Sequence, residues 1–110
     1  MGLEETGMYR VIIEFRDDLS DEKKMELKAA AAKAFNNRGG QLKDRCQDIN
    51  GCIFEGDDNM YGCIALANLT FDEIPGVKDL LKRWDWEDTE DVEFNHSVME
   101  SYIKYENGKR

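Results

Sequence analysis

Between Tyr9 and Arg16 the chain alternates in character, with Ile12 as the one apolar residue out of step. Tyr9, Val11, Ile13 and Phe15 take alternate positions, with Arg10, Ile12, Glu14 and Arg16 between them. A period of two is the mark of a strand with one buried face, so this chain has to build a sheet. Asp17-Asp18 break the pattern, and the next apolar series has a different period. Ser20 is a helix-capping residue, with Asp21 and Glu22 placed in the first turn against the helix dipole. Leu27, Ala31, Ala34 and Phe35 then follow at i, i+4, i+7 and i+8, and Ala29–Ala32 adds helix propensity. Gly39 supplies a stop, and Arg38 suits the negative end of the dipole. A strand running directly into a helix with a small alanine face predicts a helix laid close on a sheet.

The remaining segments extend this plan. Gln41 to Ile49 reads as an irregular strand or a loop, and Asn50-Gly51 as a turn. Cys52–Glu55 and Met60–Leu66 read as two strands of a hairpin around Gly56–Asn59, which sets Cys52 opposite Cys63 and Phe54 opposite Tyr61. Thr70 with Glu73 has the spacing of a capping box, and Pro75 fits a first helical turn. Ile74, Val77, Leu81 and Trp84, with Leu80, then predict a second amphipathic helix. Val92 and Phe94 suit a short strand. Ser97-x-x-Glu100 ahead of Val98, Met99, Tyr102 and Ile103 predicts a third helix ended by Gly108, with a strand over 101–106 as the alternative. The succession strand, helix, strand, strand, helix, strand is that of a ferredoxin-like split βαβ domain. The expected fold class is therefore α+β: an antiparallel sheet covered by helices on one face, with an extra C-terminal helix. Residues 1–7 read as a flexible leader and 8–110 as a single α+β domain.

Composition narrows the company such a domain keeps. With 110 residues, 41% of them hydrophobic and 35% charged, the chain can bury a core without staples. Twenty-four acids face fifteen bases, a net charge of −9. That balance repels phosphate backbones and anionic membranes, so neither nucleic acid nor membrane is an expected direct partner. Asn59–Leu66 meets the RNA-recognition RNP1 pattern only at Tyr61, Gly62 and Ile64, and lacks its basic first residue and two stacking aromatics. The opening residues have no basic start and no apolar run, and no segment approaches a membrane span. Met1-Gly2 with Thr6 matches a myristoylation pattern, but Glu4-Glu5 oppose an anionic surface. A reducing, cytoplasmic setting is expected, in which Cys46, Cys52 and Cys63 pack as small hydrophobes and the sequons at Asn68 and Asn95 carry no meaning.

Motifs of catalysis are scarce. His96 next to Ser97 imitates a dyad, yet adjacent helical residues do not face each other. Gly39-Gly40 follows a helix instead of opening one, so it cradles no phosphate. Neither Asp57 nor Asp85 begins a calcium loop, and no C-x-x-C exists to start a zinc site. No catalytic or metal-binding residue is nominated, no cofactor is expected, and binding is favoured over catalysis.

One segment does point to a partner. From Asp85 to Glu93 six of nine residues are acidic and none is basic, and Glu55, Asp57 and Asp58 form a second cluster. Dense carboxylates steer a cationic partner and speed its association. Their bland reading is a solvated loop after a helix. Trp84 continues the apolar stripe of the second helix and is assigned to the core. Trp86 lies off the stripe inside the acidic run, the setting of an interface anchor, unless its ring folds back over the sheet edge. The expected docking residues are Trp86, Asp85, Glu87, Asp88, Glu90 and Asp91, with Asp57 and Asp58 secondary.

In size and acidity the chain is similar to immunity proteins and phage-encoded anti-CRISPR proteins, a likeness of composition that covers no motif. The expected function is that of a small acidic cytosolic protein engaging the basic surface of a protein partner, as an inhibitor or neutraliser of a nucleic-acid-handling protein. The rival expectation is a ferredoxin-like ligand-binding or enzymatic domain, dimeric through its sheet, with a pocket lined by Tyr61, Cys63 and Tyr102.

Overall fold

The computed structural model describes residues 8–36, 43–44, 49–57, 61–89 and 91–108. The alternating segment is strand β1 (Met8–Phe15), and it lies at the middle of the sheet. Helix α1 (Asp21–Asn36) follows, then strands β2 (Lys43–Asp44) and β3 (Gly51–Asp57), helix α2 (Tyr61–Asp72), strands β4 (Leu81–Asp88) and β5 (His96–Ser97), and helix α3 (Val98–Gly108). The strands form an antiparallel sheet in the order β2-β3-β1-β4-β5. The class expected from the sequence, α+β with an antiparallel sheet, is what the chain adopts.

Alternation in β1 decides the two faces. Val11, Ile13 and Phe15 are buried, and their register partners Phe54 and Cys52 on β3 and Trp86 and Trp84 on β4 point the same way. All three helices cover that face. Phe35 of α1 stacks on Phe54 at 4.5 Å, while Phe71 of α2 and Tyr102 of α3 meet the Trp84 ring edge-on at 5.2 and 5.4 Å. Burying rings of this size supplies roughly 1.5–3 kcal/mol each. Leu27, Ala31, Ala34 and Phe35 form the buried stripe of α1 as their spacing predicts, and the Ser20 hydroxyl caps it by accepting from the Lys23 amide at 3.1 Å. At the start of α3 the Ser97 hydroxyl accepts from the Glu100 amide at 3.1 Å, again as expected. Gly39 lies outside the described residues.

Three expectations are corrected. Residues 61–72 form α2 and not the second strand of a hairpin, so Cys52 pairs with Ile13 and Phe54 with Val11, in place of Cys63 and Tyr61. Ile64, Ala67, Asn68 and Phe71 are its buried stripe, at i, i+3, i+4 and i+7. The period was obscured because no charge occurs between Asn59 and Phe71, leaving no polar face to contrast with the apolar one. The expected second helix also dissolves. Thr70 ends a helix instead of opening one, its hydroxyl donating to the Leu66 carbonyl at 2.8 Å. Gly76 then turns the chain with a left-handed φ of 72°. After a short 3-10 turn at Val77–Leu80, β4 begins. A register shift opposite Glu14 and Phe15 puts both Leu81 and Trp84 on the helix face. A bulge thus imitated the three-residue step of a helix. Val92–Phe94, expected as a strand, is a 3-10 turn, and the short strand falls at His96–Ser97.

Candidate functional site

The acidic run lies on β4 and the turn after it, and strand geometry divides its side chains. Asp85 and Glu87 point to the face opposite the helices, alongside Arg10, Ile12 and Glu14 of β1 and Ile53 and Glu55 of β3. There they are tied into an ionic lattice. Arg10 reaches Glu55 at 3.2 Å and Glu87 at 3.9 Å. Arg83 reaches Asp85 at 2.5 Å and both Glu14 and Glu87 at 3.5 Å. The hydrogen bond that Arg83 donates to Asp85 raises the Arg83 pKa above its ordinary value against the pull of burial, with the charges of Asp85, Glu14 and Glu87 adding to it. Carboxylates in this lattice already have cationic partners, so Asp85 and Glu87 are only partly available to another protein.

Trp86 is not an exposed anchor. It is 6% exposed, because its register with Val11 turns the indole toward the helices. Its ring meets Tyr61 and Phe94 at 5.1 Å, Tyr9 at 5.8 Å and His96 at 6.0 Å. Of the two placements open to it, the indole takes the folded-back one. The indole nitrogen is buried with no hydrogen-bond partner among the described residues.

What the sequence did not reveal is the company Trp86 keeps. Tyr9 is the second residue of β1, Tyr61 opens α2, Phe94 lies on the 3-10 turn and His96 on β5, and all gather around the indole at one end of the sheet. Tyr61 is 49% exposed and His96 is exposed, so the outer rim of this group faces solvent. A hint existed in Phe94 and His96, two apart beside the acidic run. Tyr61 was hidden by its assignment to a strand.

The strand positions of Asp57 and Asp88 lie at this same end. Tyr9 is flanked by Gly56 on β3 and Asp88 on β4, and Met8 by Asp57. The ends of β3 and β4 are therefore roughly 10 Å apart, two strand spacings, with the start of β1 between them. Asp88 shares the helix-side face with Tyr9, and its backbone amide donates to the Asn95 side chain at 2.8 Å. Asp91 is exposed and caps the 3-10 turn, its carboxylate accepting from the Glu93 amide at 3.2 Å. Glu93 is exposed beside it. Glu90 and Asp58 lie outside the described residues, and Asp57 is described as a strand position only.

The other residues weighed for chemistry lie apart from this group or serve the fold. His96 Nδ1 lies 2.7 Å from the Phe94 carbonyl, while the Ser97 hydroxyl caps α3, so the two do not form a dyad. Neither Cys52 nor Cys63 is in a disulfide; Cys46 lies outside the described residues. Among the described residues no group of three His, Cys, Asp or Glu is placed to hold a metal ion. Of the residues expected to line a pocket, Tyr61 belongs to the Trp86 group and Tyr102 packs on Trp84. Burial of Tyr102 raises its pKa, with Asp72 adding to the rise and Lys78 opposing it. Among the described residues no helix is long and apolar enough to cross a membrane. No protein-family model, no curated protein and no solved structure matches this chain.

Proposed function

We propose that this is an acidic binding protein that engages a basic surface of a protein partner through the end of the sheet where β1 starts. One observation carries the reading: Asp57 on β3 and Asp88 on β4, distant in sequence, stand on either side of the start of β1, beside exposed aromatic rings and the exposed Asp91 and Glu93. Carboxylates draw in a cationic surface, and the rims of Tyr61 and His96 offer the flat contact on which arginine and lysine side chains settle. Trp86 serves as the floor under those rings; Asp88 and Asp91 keep the role expected of them, and Glu93 joins them in place of Asp85 and Glu87, which the ionic lattice holds. Net charge of −9 keeps nucleic acid from competing for the site. An inhibitor or immunity-type neutraliser of a nucleic-acid-handling protein is the use that fits this chemistry, acting in the cytoplasm, where Cys52 and Cys63 remain thiols. We read the fold as one ferredoxin-like domain elaborated by β5 and α3, a reading supported by the succession from β1 to β4.

Affinity capture from source-cell lysate tests the function. The expected result is a protein retained at low salt, released at high salt and unaffected by nuclease. Recovery of nucleic acid alone, or of a protein whose retention ignores salt, overturns the reading.

A further inference from the structure

We infer that Asn50-Gly51, at the opposite end of the sheet, is a self-modifying site at which the Asn50 amide becomes a carboxylate, assisted by Lys24. Gly51 is required by packing. A Cβ there would collide with the Ile13 carbonyl oxygen and sit 3.3 Å from the Glu14 Cα. The fold therefore places after Asn50 the one residue whose backbone nitrogen has no side chain beside it to hinder attack. That nitrogen also lies outside the β1 ladder. The Phe15 amide donates to the Asn50 carbonyl at 2.9 Å, which makes Phe15 and Asn50 a hydrogen-bonded pair. By alternation Glu14 and Gly51 are a non-hydrogen-bonded pair, and the Gly51 N–H points away from β1.

Lys24 supplies the second half of the site. It is a lysine only 7% exposed, and its Nζ donates to Asn50 Oδ1 at 2.7 Å. Among the described residues this ammonium has a neutral amide and no carboxylate as its side-chain partner, so it is short of counter-charge. The same Oδ1 is where negative charge gathers when a nucleophile adds to the amide carbon, and a preplaced cationic donor stabilises that charge. The step balances without any outside oxidant or cofactor. The Gly51 nitrogen bonds to Asn50 Cγ and gives up its proton, the amide nitrogen departs as ammonia with that proton, and a five-membered imide remains. Water then adds at Cγ, the new C–N bond breaks, and an aspartate stands at position 50 with an oxygen against Lys24. Opening at the other carbonyl would insert an extra carbon into the main chain and disrupt the Phe15–Asn50 bond, so the ladder favours aspartate. Asn50 is exposed and borders a cleft of about 250 Å³ shared with Glu14, Ile53 and Lys82, which admits the water.

The test follows intact mass and peptide maps of the folded protein incubated at neutral pH, with Lys24→Met and Asn50→Asp beside the wild type. The expected result is a one-dalton gain located at position 50 as aspartate. Lys24→Met slows it about tenfold, the worth of one charged hydrogen bond. In urea the two proteins react at equal rates. Asn50→Asp raises Tm by roughly 4 °C or more, since it supplies the missing counter-charge, and this arm stands even where Lys24→Met folds poorly. Absence of the mass gain in the folded wild type, equal rates in the folded proteins, or a lower Tm for Asn50→Asp each overturns the proposal.

Discussion

Two tryptophans two residues apart on one strand face show how much a single hydrogen bond decides. Trp84 Nε1 donates to Asn68 Oδ1 at 3.1 Å in a site where Asn68 is 1% exposed, while the buried Trp86 Nε1 has no such acceptor among the described residues. Replacing either indole by phenylalanine removes the same atoms and a similar volume. The consequences differ, because only Trp84→Phe leaves a buried amide oxygen without its donor. Trp84→Phe should cost about 1–3 kcal/mol more than Trp86→Phe, the penalty for orphaning a buried polar group. Urea unfolding followed by circular dichroism measures both. Equal costs would mean that the Asn68 bond contributes nothing beyond packing. The sequence assigned Trp84 to the core from its apolar neighbours, but no spacing rule links it to Asn68, sixteen residues earlier. Trp86 illustrates the same limit: acidic flanks describe its neighbours along the chain, whereas strand parity decides where its ring goes.

Elements were legible where period and punctuation agreed. In β1 and α1 the polar positions contrast sharply with the apolar ones, and Asp17-Asp18 and Ser20 mark the change from one to the other. In α2 and β4 that contrast failed, first through an uncharged helix and then through a bulge. The glycines around α2 now distinguish the two assignments. Gly62 lies in the first turn of α2, and a Cβ added there meets no atom within 4 Å. Gly76 has the left-handed φ of 72° that turns the chain after α2. Were 60–66 a strand in a hairpin, alanine at 62 would have no helix to favour. In the observed fold Gly62→Ala should stabilise by about 0.4–1 kcal/mol through lower unfolded-state entropy, and Gly76→Ala should destabilise by more than about 1 kcal/mol. Thermal melts of the two variants, compared with wild type, check the opposite signs. A destabilised Gly62→Ala would count against α2 as drawn.

At the scale of the whole molecule, the question is whether net charge or its placement governs association. Nine excess negative charges attract any cationic partner from a distance, whatever face it approaches. The sequence displayed both acidic clusters plainly. That Asp57 and Asp88 end on either side of the start of β1 was not readable, because it depends on β3 and β4 flanking β1 on opposite sides, a long-range pairing that leaves no local trace. Placement is separable from total charge by a matched pair of variants. One reverses Asp88, Asp91 and Glu93 to lysine at the end where β1 starts. The other reverses Asp17, Asp18 and Asp79, which cluster with Arg16 and Lys82 at the end where β1 finishes. Both change the net charge equally, so a purely global field slows both alike. With an arginine-rich peptide as probe, stopped-flow association at low salt should slow by about tenfold or more for the first variant and far less for the second. Only the first should also lose most of its salt dependence, since the screened interaction is the local one within a Debye length of about 10 Å. Equal slowing of the two would assign the attraction to the molecule's total charge and remove the aromatic end from the interface.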